Sequence, residues 1–270
     1  MPPYLPWFRG KTINGMIMTE QGSIDISSQD GIATITFSHP KSNALPGDLL
    51  TKLAEAITSA GNDTSTKVMV LKSAGEKAFC AGASFDELLA IDDREKGRLF
   101  FSGFAQVINA ARKCPKFIIG RVQGKAVGGG VGMASAVDYC LATEAASVKL
   151  SELAIGIGPF VVGPAVERKV GNSAFAQLAI NATEWQSAEW AKGKGLYMET
   201  YATIGELDSA VESLAAELAA SSPDAMKELK RALWEGTEHW DDLLAKRAET
   251  SGELVLSDFT AQAIAKFKAQ

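Results

Sequence analysis

The sequence predicts an α/β body of repeated strand–strand–helix units followed by a helical C-terminal region. Three observations carry this. Short strand-like segments alternate with helical ones over the first two-thirds of the chain. From Phe160 onward the pattern is mainly helical, and no fixed-period repeat or long linker interrupts either part.

The elements follow in order. In Gly31–Phe37, Ala33, Ile35 and Phe37 alternate with Thr34 and Thr36, which predicts a half-buried strand. His39–Pro46, "HPKSNALP", is turn chemistry. Leu49, Leu53 and Ile57 then recur at helical spacing. Lys67–Ser73 reads as a strand, and the small-residue loop after it turns into a helix near Phe85. Gly97–Cys114 is a helix that Pro115 stops. "FIIGRVQG", "YCLATE" and "VKLSE" read as three further strands. Near the C-terminus Ser222 can cap a helix, Pro223 can open it and Gly236 can end it.

The totals narrow the function. The chain has 270 residues, 46% of them hydrophobic, and a net charge of −5. That is enough for one sizeable core, and the acidity argues against nucleic acid as the main partner. No apolar run reaches the roughly 20 residues that span a bilayer. Cys80, Cys114 and Cys140 form no C-x-x-C pair, which points away from disulfides and zinc and towards a reducing, cytoplasmic setting. Residues 1–20 read as a flexible leader, with Met16 and Met18 as candidate start sites.

The chemistry concentrates in Gly124–Gly156, where Gly128–Gly130 stand at the mouth of a helix. The spacing fits neither G-x-G-x-x-G nor a Walker loop. Glycines at a helix start also suit a backbone amide that must approach a substrate carbonyl closely. A second donor would have to come from another small-residue loop, and "CAGAS" (Cys80–Ser84) is one. Glu152 is the lone carboxylate in an apolar stretch with Leu150, Leu153, Ile155 and Ile157. Burial there would raise its pKa and suit it to proton transfer.

"HPKSNAL", "AFCAGASFDEL" and "GKAVGGGVGMASAVDYCLATEAASVKLSELAIGIGP", in that order, resemble the enoyl-CoA hydratase/isomerase (crotonase) superfamily from about Ile32 to the C-terminus. The resemblance implies a crotonase-like spiral over residues 21–203 and a helical oligomerisation region over 204–270, in a homotrimer or homohexamer. It implies a substrate carried as a coenzyme A thioester, with no permanently bound cofactor. The amides of Ala81 and Gly129 would form the oxyanion hole, beside Gly128, and Glu152 would be the catalytic acid. Ala81, Gly82, Ala83 and Ser84 would line the thioester and adenine pocket, with Lys41 and Phe267 beside the coenzyme. Ser84 stands where the family usually has Asp.

A second departure is more informative. Most hydratases of the family carry a first glutamate 20 residues before the second, and here that place is Gly132. One glutamate suits a double-bond shift, whereas "GGGVG" and "LSELAIGIGPFVV" are similar to bacterial hydratases acting on methylglutaconyl-CoA, in leucine breakdown, or on carboxygeranoyl-CoA. Three readings follow: an enoyl-CoA hydratase, an isomerase using Glu152 alone, or an acyl-CoA-binding relative without turnover. For a substrate with a distal carboxylate, Arg168 and Lys169 are candidate partners, against a solvated helix face. Asp138 is expected to cap or pair, and Glu144 to sit in a turn. His39 and His239 have no companions for a Ser-His-Asp triad. Trp185, Trp190 and Trp234 are expected at helical positions, in the core or at subunit contacts.

Overall fold

The computed structural model describes residues 11–13, 16–18 and 21–268, with side chains described for 21–266. Two short strands, β1 (Lys11–Ile13) and β2 (Met16–Met18), pair antiparallel within the stretch read as a leader; the rest of that stretch before Gln21 lies outside the described residues.

The body winds as a spiral. It opens with the antiparallel pair β3 (Ser23–Gln29) and β4 (Ile32–Ser38) and helix α1 (Gly47–Asn62). Three turns of similar plan follow. The first is β5 (Val68–Ser73), β6 (Ala78–Cys80), α2 (Phe85–Leu89) and α3 (Arg94–Lys113). The second is β7 (Phe117–Val122), β8 (Lys125–Val127) and α4 (Gly129–Ala136). The third is β9 (Tyr139–Thr143), β10 (Val148–Lys149), a 3-10 turn at Glu152–Ile155 and α5 (Gly163–Ile180). In each, one strand joins the large sheet and the next a small one. Helix α6 (Ala188–Gly193) and strand β11 (Glu199–Tyr201) complete the large sheet, in the order β11-β9-β7-β5-β4-β3. The small sheet runs β10-β8-β6, all parallel.

The central strands of the large sheet are covered on both faces, which explains the apolar runs Val68–Leu71 in β5 and Phe117–Gly120 in β7, whereas the edge strand β3 is largely exposed. One face meets α1 and α3 in the main core around Ile35, Leu53, Leu71 and Ile108. The other meets α7 (Ile204–Ala219), whose Leu207, Val211 and Ala215 pack on Val68, Val70 and Ile119. Thr203 and Glu206 close a reciprocal capping box at the start of α7.

Helices α8 (Pro223–Leu233), α9 (Trp240–Leu254) and α10 (Asp258–Lys268) finish the chain. As expected, Ser222 caps α8 and Pro223 opens it. Helix α9 crosses α3 where Gly97 faces Gly252, and a Cβ on Gly97 would lie 2.8 Å from the Gly252 backbone. Helix α10 folds back onto the 3-10 turn, with Phe259 and Thr260 against Gly156.

Four of the five predicted strands appear within two residues of their expected limits; the fifth, "VKLSE", is shorter, with β10 ending at Lys149. Within the body, β3, β6, β8 and β11 were not predicted: β6, β8 and β11 have three residues each, too few to show a period, and β3 carries only Ile24 and Ile26 as apolar residues. Among the described residues no helix is long and apolar enough to cross a membrane.

Candidate active site

The small sheet delivers two loops to one place. Strand β6 runs into Ala81–Ser84, where Gly82 takes a φ of 91°. The "HPKSNAL" turn brackets this loop: Leu45 N–H donates to Gly82 O at 2.8 Å and Ser84 N–H to Leu45 O at 3.0 Å. Asn43 holds the bracket in turn, accepting from His39 N–H and donating to the carbonyls of Ala74 and Ala78. Ser84 caps α2, its hydroxyl accepting from Glu87 N–H. Serine therefore does at this position what a capping aspartate can do.

The amides of this loop differ from expectation. Ala81 N–H donates to Ser42 O at 3.2 Å, so it is already engaged. Ala83 N–H has no hydrogen-bond partner among the described residues, and Ala83 lines the cavity described below. The strand leaves residue 81 facing its bracket, and only after the turn at Gly82 does an amide come free.

Strand β8 runs into the second loop. Gly128 has a φ of 52° and donates its N–H to Lys149 O at 2.9 Å. Gly129 is the first residue of α4, and its amide has no partner among the described residues, as the opening turn of a helix dictates. A side chain at Gly129 would run into the Phe104 ring, and a Cβ on Gly82 would lie 3.9 Å from Gly129 N. The two loops thus face each other across a gap that only small residues permit.

Glu152 opens the 3-10 turn beside them. A Cβ on Gly128 would lie 2.9 Å from Glu152 Oε1, so the carboxyl rests against the glycine loop. Its Oε2 is sealed from solvent with no hydrogen-bond partner among the described residues. Burial lifts its pKa from 4.5 to about 7, outweighing the opposing pull of its own amide. Leu150 and Ile157 are buried beside it, whereas Leu153 points outward and is 47% exposed. The tight 3-10 turn rotates residue 153 away from the company that the sequence suggested.

Gly132 is explained by packing. A Cβ there would lie 2.5 Å from Val162 Cγ1 and 2.8 Å from Val162 Cβ. The start of α5 therefore fills the space that a side chain at 132 would need. Beside it lies a cavity of about 480 Å³ whose lining includes Glu152, Ala83 and Gly129 together with Phe100, Phe101 and Phe160. Glu152 and Lys149 are its charged lining residues.

Other expected residues fall elsewhere. Lys41 pairs with Asp86, next to the lining residue Phe85, and both partners are exposed. The side chain of Phe267 lies outside the described residues. Arg168 stacks over Trp234 and Lys169 donates to Asp138 O; neither lines the cavity. Asp138 pairs, as expected: its carboxylate accepts from Lys230, Trp234 Nε1 and the Ile118 amide, each at 2.8 Å. Trp190 lies in α6 and Trp234 is buried at the end of α8. Trp185 departs from expectation, since it sits in the loop before α6 and lines the cavity. Nothing in its local sequence pattern marks that position; it is set by the pairing of Gln186 with Val148.

The two-sheet spiral of strand–strand–helix turns is the crotonase class of folds. The enoyl-CoA hydratase/isomerase family model matches residues 27–264, and the chain belongs to that family. It is 29% identical over 251 residues to the short-chain-enoyl-CoA hydratase of Clostridium acetobutylicum, covering 92% of this chain and 95% of that one. It is 31% identical over 200 residues to the mitochondrial methylglutaconyl-CoA hydratase of Mus musculus, covering 73% and 63%. The crystal structure of an enoyl-CoA hydratase from Mycobacterium avium subsp. paratuberculosis superposes with a TM-score of 0.80 at 26% identity, covering 93% and 96%.

Proposed function

We propose that the protein hydrates a 2-enoyl-CoA, holding the thioester oxygen on the amides of Ala83 and Gly129 and moving protons through Glu152. The observation that carries this is the meeting of two unpartnered amides and one buried carboxyl in a single cavity. The first donor is therefore assigned to Ala83, in place of Ala81.

The chemistry follows from the parts. Water adds to C3 while ionised Glu152 takes its proton, and the electron pair moves through the double bond onto the thioester oxygen. Two fixed N–H groups stabilise that enolate, each worth about 3 kcal/mol. Protonated Glu152 then returns its proton to Cα. A pKa of about 7 suits one group to both steps near neutrality.

The apolar wall at Val162 favours a second reading, a shift of a 3-enoyl-CoA to the 2-enoyl form. There Glu152 removes a proton from C2 and delivers it to C4, and no water has to be positioned. Ultraviolet absorbance of the conjugated thioester separates the two. Hydration consumes the absorbance of a 2-enoyl-CoA, whereas isomerisation creates it from a 3-enoyl-CoA. Failure of both, with Glu152→Gln binding acyl-CoA as the parent does, would leave a binding protein.

A further inference from the structure

Lys149 and Lys125 both lie against one indole. Their ammonium groups are 4.7 Å and 4.8 Å from the Trp185 ring centroid, and neither has a carboxylate partner among the described residues. Two unneutralised like charges gathered on one ring repel each other, and the ring face offsets only part of that repulsion. In a chain of net charge −5 this is an unsatisfied positive spot.

Its place in the fold says what it meets. Lys149 pairs with Val127 in the parallel register of β10 and β8. Alternation puts Lys125, Val127 and Lys149 on one face of the small sheet, and Val127 and Lys149 line the cavity. The order β10-β8-β6 then sets a direction. The Ala83 loop follows β6, the Gly129 loop follows β8, and Glu152 follows β10. In the reading proposed above, the thioester carbonyl lies between the first two and its reacting carbons face Glu152. The acyl chain therefore extends towards the β10 edge, where Lys149 stands one strand spacing, about 4.8 Å, from β8, and Trp185 lies on the segment paired with the outer side of β10.

We infer that Lys149, steadied on Trp185 and supported by Lys125, is an anion site that selects acyl chains ending in a carboxylate. This rests on the acyl-CoA reading but not on turnover. A short dicarboxylic mono-thioester would place its free carboxylate on Lys149, while the aromatic wall encloses the carbons between. Coenzyme A phosphates share the chemistry of that anion, so the test must separate the two sources.

Binding of saturated thioesters by calorimetry does so without requiring catalysis. Glutaryl-CoA should bind more tightly than butyryl-CoA, and Lys149→Met should weaken glutaryl-CoA by about tenfold or more, as loss of a charge-assisted hydrogen bond implies. Butyryl-CoA should change less than about twofold on the same scale. Lys149→Arg should keep the preference, which guards against a folding defect in the methionine variant, and Lys125→Met should reduce it in part. Equal weakening of glutaryl-CoA, butyryl-CoA and free coenzyme A would assign the site to the phosphates and overturn the proposal. No preference for glutaryl-CoA in the parent, or no effect of Lys149→Met on it, would overturn it too. If no thioester binds at all, the acyl-CoA reading itself fails, which is a separate result.

Discussion

Glu152→Gln tests the burial of the acid independently of any substrate. A carboxyl whose pKa rises from 4.5 to about 7 on folding loses about 3 kcal/mol of stabilisation when it ionises. The sign is set by the protons bound. Between those two values the folded chain keeps a proton that the unfolded chain has released, so this group makes stability fall as pH rises. Above pH 7 its penalty is complete, and below 4.5 it vanishes. Glutamine has nearly the same shape and cannot ionise, so the variant escapes the penalty. The stability of Glu152→Gln minus that of the parent should therefore grow by about 3 kcal/mol from pH 4.5 to pH 8, equivalent to about 5 °C in Tm at this chain length. Urea or thermal unfolding of both proteins at several pH values measures it, and other titrating groups cancel in the difference. A difference that stays flat across that range would refute the sealed environment of Oε2 and with it the argument for a tuned acid.

Three further outcomes follow from the same geometry. Because Glu152 must begin ionised in either proposed reaction, kcat/KM should rise with pH and level off above about 7; a profile flat from pH 5 to 9 would contradict the role. Gly132→Ala should destabilise by about 1–3 kcal/mol through overpacking against Val162, and adding Val162→Ala should recover part of the loss, as a double-mutant cycle in urea would show. Lys230→Met should cost about 3–5 kcal/mol by stranding the Asp138 carboxylate, whereas a loss under 1 kcal/mol would mean that Trp234 and the Ile118 amide suffice.

The division between what was legible in the chain and what was not is physical. Local periodicity foretold β4, β5, β7, β9 and β10 and helices α1 and α3, because each patterns its own burial; β3, β6 and β8 went unread, two of them being too short to show a period. The glycine loop and Glu152 were legible because their chemistry is local: a helix start without side chains, and an acid in apolar company. Sequence also placed "HPKSNAL" among the relevant motifs, although its task of bracketing the Ala83 loop through Asn43 emerges only in three dimensions.

Tertiary structure decided the rest. Which amide of "CAGAS" is free depends on Ser42 accepting from Ala81, a hydrogen bond between segments 39 residues apart in the chain. Gly132 reads in sequence as a missing acid, and in space as the seat of Val162. Trp185 reaches the cavity, and Arg168 and Lys169 turn from it towards Trp234 and Asp138, because packing between distant elements orients each side chain. Periodicity reports which way a residue faces on its own element; it carries no record of what the folded chain brings opposite.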